Sequence, residues 1–115
     1  MQTATHFLRR DPADVQPWAE TCGQNRPLIE AADEAAEVHY VEIEEAKLHY
    51  HKRTDEVYYV IDVQGTMVLD DDTIELHRGV VVYVPRGVKH KACGKLVVQP
   101  VCIPRGVLDD IYELE

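Results

Sequence analysis

From Val38 onward the chain breaks into short runs of β-forming residues: Val38 to Ile43, Lys47 to His51, Val57 to Val63, Thr66 to Leu69, Thr73 to His77, Val80 to Val84 and Leu96 to Ile103. Seven such runs in about 65 residues, separated by turn formers, fit an all-β sandwich or barrel. Asp70-Asp71-Asp72 reads as a hairpin tip between the fourth and fifth runs, and Arg78-Gly79 as the turn into the sixth. Pro100 interrupts the seventh run and predicts an edge or a bulge there, since proline donates no ladder hydrogen bond.

The flanks are less regular. Residues 1–27 carry Pro12, Pro17, Trp18 and Gly23 with weak periodicity and read as an extended arm, anchored by Trp18 to the body or to a partner subunit. Residues 28–115 read as one domain, large enough at this length to bury a core without metal or disulfide staples, so that a bound metal would serve function. Within it, Leu28 to Glu37 is rich in Ala and Glu and admits a helical turn or two, and Asp109 to Glu115 a short helix or an extended strand. Cys22, Cys93 and Cys102 cannot all pair within one chain and form no Cys-x-x-Cys motif, as expected of free thiols. With no secretory signal or membrane-length apolar run, the expected compartment is the cytoplasm.

The chemistry-bearing residues concentrate in two segments. In His49-Tyr50-His51, alternation along a strand puts both imidazoles on one face, with Lys47 in the same register. Glu56 opens the next run and aligns with Tyr58 and Val60, facing a barrel interior where a carboxylate costs several kcal/mol unless paired or bound to a cation. In Pro85-Arg86-Gly87-Val88-Lys89-His90, proline and glycine fix the turn that aims His90. Three imidazoles and one carboxylate suffice for a divalent metal. Tyr58 and Gln99 are candidate catalytic groups pointing into the cavity, with ordinary core or surface packing as the alternative for each. Cys93 should face away from His90, and His6, His39 and His77 read as surface or structural.

Charge narrows the partners. Against 21 Asp plus Glu stand 12 Lys plus Arg, a formal net charge of −9, which repels nucleic acid and anionic membranes. Lys47, Lys52, Arg53, Arg86, Lys89, Lys91 and Lys95 nevertheless lie within or beside the histidine segments. They form either solvated loops or a positive patch in which Arg86, Lys89 and Lys47 would meet a small anionic substrate.

These segments resemble the two motifs of the cupins, small β-barrel proteins. The second motif, G-x5-P-x-G-x2-H-x3-N, is matched at Gly79, Pro85, Gly87 and His90, with Gly94 in place of asparagine. The first, G-x5-H-x-H-x3-4-E-x6-G, is matched at His49, His51, Glu56 and Gly65. Ile43 occupies its leading glycine position, and eight residues rather than six separate Glu56 from Gly65, which suggests a bulge or longer hairpin at Asp62 to Gln64. The resemblance implies a double-stranded β-helix, or jelly-roll, in which His49, His51, Glu56 and His90 hold one divalent ion: Fe, Mn, Ni, Co or Zn. Four protein ligands leave two positions open on a six-coordinate ion. The implied function is a metal-dependent enzyme on a small polar or anionic substrate, of dioxygenase, isomerase or lyase type with the first two foremost. The alternative is a non-catalytic barrel that binds or senses a small ligand. Cupins also commonly dimerise through sheet edges and N-terminal arms, so a homodimer is expected.

Overall fold

The computed structural model describes residues 7–30, 35–104 and 110–114. Their strands form two antiparallel sheets. In chain order they are β1 (Trp18–Glu20), β2 (Gly23–Ile29), β3 (Glu37–Ile43), β4 (His49–Tyr50), β5 (Asp55–Asp62), β6 (Gly65–Leu69), β7 (Asp72–Leu76), β8 (Val81–Val84), β9 (His90–Cys93), β10 (Val97–Ile103) and β11 (Tyr112–Glu113). The larger sheet runs β1-β2-β3-β10-β5-β8 and the smaller β11-β4-β9-β6-β7, an all-β jelly-roll. No helix among the described residues is long and apolar enough to cross a membrane.

Period-two alternation decides what lies between the sheets. Glu56, Tyr58 and Val60 of β5 are buried while Val57, Tyr59 and Ile61 are not, and on β9 His90 and Ala92 are buried while Lys91 and Cys93 are half-buried. Met67, Leu76, Val60, Leu96 and Val98 pack into the apolar core, each contributing about 1.5–3 kcal/mol through burial. Val41, Ile43, Tyr58 and Val98 belong both to this core and to the wall of an adjoining cavity.

The expected turns are present. Leu69 pairs with Asp72 across a two-residue turn in which Asp70 takes a left-handed φ of 52°, and Gly79 (φ 95°) follows β7 into β8. Elsewhere the structure departs from the sequence reading. Trp18–Glu20 and Gly23–Ile29, within and just past the segment read as an arm, are strands of the larger sheet. The β2 sequence Gly-Gln-Asn-Arg-Pro-Leu-Ile is too polar to announce a strand, and its ladder with β3 shifts register between Pro27 and Ile29. Leu28 and Ile29, read as the start of a helical turn, end β2, and residues 31–34 of that reading lie outside the described residues.

Pro100 does not mark an edge. Strand β10 lies between β3 and β5, and its ladder to β3 pairs Val98 with Val41 and Val101 with Val38 while skipping Gln99 and Pro100. A central strand thus accepts proline by interrupting one ladder while Pro100 stays paired with Tyr58 on the other side. Of the bulge or longer hairpin expected at Asp62 to Gln64, the bulge is present, as a register shift in β5 opposite Val97 and Val98, while the hairpin is not: β5 and β6 belong to different sheets, and the extra length forms a corner with Val63 at a φ of 66°.

Gly65 starts β6 where another backbone passes closely. A Cβ there would lie 2.2 Å from the Cys93 carbonyl oxygen and 3.1 Å from the Leu96 side chain. Gly65→Ala is therefore expected to lower the unfolding free energy by about 2–3 kcal/mol through overpacking. Lys95→Ala, at an exposed position, should change it by less than about 0.5 kcal/mol. Equal denaturation midpoints for the two variants would refute the close approach.

Candidate metal centre

Strand β4 is two residues long and held on both sides, by β9 at His49↔His90 and by β11 at Glu113↔His49 and Tyr112↔Tyr50. Its outward residue Tyr50 stacks on Tyr112 with ring centroids 5.1 Å apart, and the Lys52 ammonium lies 4.5 Å from the Tyr112 ring centroid. His49 and His51 are thereby fixed on the inner face. The turn that delivers His90 is tied to the same strand: the Gly87 N–H donates to the His51 carbonyl at 2.6 Å, and the Val88 N–H to the Pro85 carbonyl at 3.2 Å. Gly87 takes a φ of 89°, where a side chain would be strained. Glu56 arrives from β5 of the opposite sheet.

The four residues meet. His49, His51, Glu56 and His90 are all buried, and one ligand atom from each lies within 4.8 Å of the others. His51 Nε2 is 3.0 Å and His90 Nε2 3.1 Å from the same carboxylate oxygen, Glu56 Oε1. Each imidazole is oriented from behind by a carbonyl that accepts its Nδ1–H: Lys47 for His49 at 2.8 Å, Asp110 for His51 at 2.9 Å, and Val88 for His90 at 2.9 Å. With Nδ1 carrying the proton, a neutral ring turns its Nε2 lone pair toward the cluster.

Lone pairs converging on a carboxylate repel one another unless a positive charge lies among them. As a neutral ring with its proton on Nδ1, His51 has its buried Nε2 without a hydrogen-bond partner 3.0 Å from Glu56, and only the protonated ring can donate there. Burial alone would push the Glu56 carboxyl up, but hydrogen bonds and charges from His51 and His90 outweigh it and hold the group well below the usual carboxylate range. Burial, reinforced by His90, lowers His49 to about 4, so its ring is neutral at neutral pH. His51 is raised, because the hydrogen bond and charge of Glu56 outweigh the opposing effect of burial. Three imidazole nitrogens and one carboxylate oxygen, buried and already oriented, form a donor set that fits a first-row divalent ion.

Sequence reasoning missed Asp110, although it completes the site. It is 1% exposed, accepts the Lys52 and Arg53 N–H groups at 3.0 and 2.9 Å on its two carboxylate oxygens, and offers its carbonyl to His51. A single acid in the tail, far from His51 in sequence, carries no periodic signal that could reveal this.

The cluster borders a cavity of about 560 Å³ whose lining includes Trp18, Glu20, Glu37, His39, Thr54 and Tyr58. Tyr58 faces inward as expected, 2% exposed, its ring edge-on to His90 at 5.9 Å. Burial pushes its hydroxyl well above the ordinary tyrosine range, so it is a neutral donor. Gln99, expected to do likewise, is on the opposite face of β10, since Val98, Pro100 and Cys102 are the inward positions.

The basic patch also fails to reach the cavity, and no Lys or Arg lines it among the described residues. Arg86 pairs with Asp55 at 3.0 Å at the outer tip of its turn, and Lys47 lies before regular alternation begins at His49 and pairs with Glu113 at 3.6 Å. Lys89 is exposed, its backbone N–H donating to Asp70. Glu20, Glu30 and Glu37 line the cavity instead, which removes the reason to expect an anionic substrate. His39, read as surface or structural, is part of the same lining.

Comparison with known proteins agrees with this architecture. The family described as Cupin domain matches residues 36–94, slightly more than half of the chain. The uncharacterized protein MJ1618 of Methanocaldococcus jannaschii is 36% identical over 44 residues, which are 38% of this chain and 35% of that protein, so the match spans about a third of the relative's length. A Planctomyces limnophilus protein of known structure superposes with a TM-score of 0.88 at 23% identity, covering 95% of this chain and 98% of the other. Streptomyces Pac13, described as a nucleoside dehydratase, superposes with a TM-score of 0.83 at 15% identity, over 96% and 92% of the two chains.

Two outcomes follow from the geometry. Protons compete with a metal for the imidazoles, and because His51 is raised, affinity measured by titration calorimetry should begin to fall above the ordinary histidine value of about 6.5 and continue falling as pH drops. Affinity that is flat from about pH 8 to 5 would contradict an imidazole site. Asp110→Ala keeps the carbonyl that accepts from His51 but removes the carboxylate that ties this part of the tail to the Lys52 and Arg53 N–H groups, so it should weaken metal binding by roughly 10–100-fold while the four candidate ligands stay in the sequence. Unaltered affinity in that variant would mean that the carboxylate anchor is not needed to hold the carbonyl against His51.

Proposed function

The chain belongs to the cupin family, and from that premise we propose that it is a metal-dependent enzyme of lyase type, removing water or another small leaving group from a small polar substrate. The observation that carries this reading is the coincidence of a complete donor set, a cavity of about 560 Å³ and a buried neutral tyrosine at one place. That volume lies in the usual range for small-molecule sites. A divalent ion held by His49, His51, Glu56 and His90 would supply Lewis acidity toward a substrate oxygen.

The remaining tasks fall to the chain itself. Val41, Ile43 and Val98 give the cavity an apolar wall that excludes water from one side of the substrate. Tyr58, protonated at neutral pH and adjacent to His90, donates a proton to the departing oxygen, which leaves as water, while the Glu20 carboxylate in the cavity lining, raised by burial, takes the proton lost from the neighbouring carbon. The Nδ1–H contacts keep the imidazoles from turning and from serving as the proton source themselves. Dioxygenation and isomerisation, foremost on sequence alone, give way to elimination because a neutral phenol suits a leaving hydroxyl. Pac13, whose fold superposes on this one, is described as a dehydratase.

The reading is tested by loading metal-free protein with Mn²⁺, Fe²⁺ under argon or Zn²⁺. Each form is offered a panel of β-hydroxycarbonyl compounds, and the conjugated product is followed by its ultraviolet absorbance. Turnover is expected with metal only, and Tyr58→Phe should reduce it by about 10²–10⁴-fold without changing metal content. A compound that binds tightly and is recovered unchanged would identify a binding barrel instead.

A further inference from the structure

The cavity contains a second group of potential ligands that the three-histidine site does not use. Glu37 and His39 project from β3 and Cys102 from β10, neighbouring strands that pair Cys102 with Glu37, and one ligand atom from each lies within 4.8 Å of the others. Cys102 is buried and the other two are half-buried. Their arrangement repeats that of the first cluster. His39 Nδ1 is 3.2 Å from Oδ1 of the buried Asn25, while Nε2 points at Glu37 Oε1 from 3.0 Å. With Nδ1–H donated to the asparagine oxygen, the remaining lone pair again faces a carboxylate.

Glu56 joins the two groups. Its Oε1 faces His51 and His90, and its Oε2 lies 3.6 Å from the Cys102 sulfur, which donates to it in the absence of a cation. Glu20 and Glu30 line the same cavity, and no Lys or Arg among the described residues does so. Negative charge is thus concentrated there without a matching side-chain cation. We propose that Glu37, His39 and Cys102 form a second divalent-cation site, adjoining the first across the Glu56 carboxylate. It rests on the first reading only through the shared Glu56. A thiolate, an imidazole and a carboxylate favour a borderline-soft ion such as Zn²⁺ and leave a fourth tetrahedral position for water or substrate. Two ions on either side of one carboxylate would present a paired electrophile to a substrate in the cavity.

Cobalt distinguishes the sites, because the first has only nitrogen and oxygen donors while the second includes sulfur. Metal-free full-length protein is titrated with Co²⁺ and followed by absorption, with bound metal counted by elemental analysis. The expected result is two equivalents per chain and a strong near-ultraviolet thiolate-to-cobalt band. Cys102→Ser should abolish that band and lose one equivalent. His39→Gln should do the same with all three cysteines present, and Cys22→Ser should leave both equivalents and the band intact. His51→Ala should lose the other equivalent and keep the band. One equivalent without the sulfur band would overturn the second site and leave the first standing. A band that survives Cys102→Ser in folded protein would also overturn it, and absence of any bound cobalt would overturn both sites.

Discussion

The structure turns on one electrostatic problem, the burial of the Glu56 carboxylate against three imidazoles whose Nδ1 protons are already committed to backbone carbonyls. An isolated carboxylate in such a place costs several kcal/mol, and rings in the matching tautomer cannot offset that cost with hydrogen bonds of their own. A cation among the four groups resolves the conflict. Without one, a proton would have to take its place, and the Glu56 carboxylate favours the charged form of His51. The site therefore stores a preference for positive charge in the geometry of a rigid backbone.

That geometry is assembled from distant parts of the chain. The larger sheet supplies Glu56 and the smaller supplies His49 and His90, so the cluster spans the gap between the two layers. The ends of the described chain complete it: β1 to β3 form one wall of the cavity, and Asp110 with β11 closes the edge beside β4. These two flanks also touch each other, through the Thr21 hydroxyl donating to Glu113 at 2.7 Å, and the Thr21 carbonyl accepts the N–H of Lys47, just before β4, at 3.1 Å. The apolar core of Met67, Leu76, Val60 and Leu96 is continuous with the cavity wall through Val41, Ile43, Tyr58 and Val98.

The convergence of His49, His51 and Glu56 on one cluster was legible in the sequence because strand alternation is a strict geometric rule. Once His49 faced inward, so did His51, and Glu56 followed with Tyr58 and Val60. The same rule failed for Lys47, which precedes the paired part of β4, and for Gln99, whose inward assignment had no anchor within its own strand. Strands β1 and β2 were hidden by polar residues and Pro27, because β2 is held by pairing with β3, and β1 by pairing with β2, and not by local propensity. Asp110 and His39 were unreadable for a different reason. Their roles depend on contacts across the fold, with Lys52, Arg53 and His51 in one case and with Asn25 and Glu37 in the other.

The most direct measurement of the central claim is anomalous scattering from a crystal of the metal-loaded protein, recorded at the absorption edge of the added ion. The expected result is a peak about 2.0–2.2 Å from Nε2 of His49, His51 and His90 and from a carboxylate oxygen of Glu56. The contradictory result is no peak among these four residues, with His51 Nε2 within hydrogen-bond distance of Glu56 and an imidazolium proton between them in solution spectra. The cluster would then be a buried ion pair and the metal reading wrong.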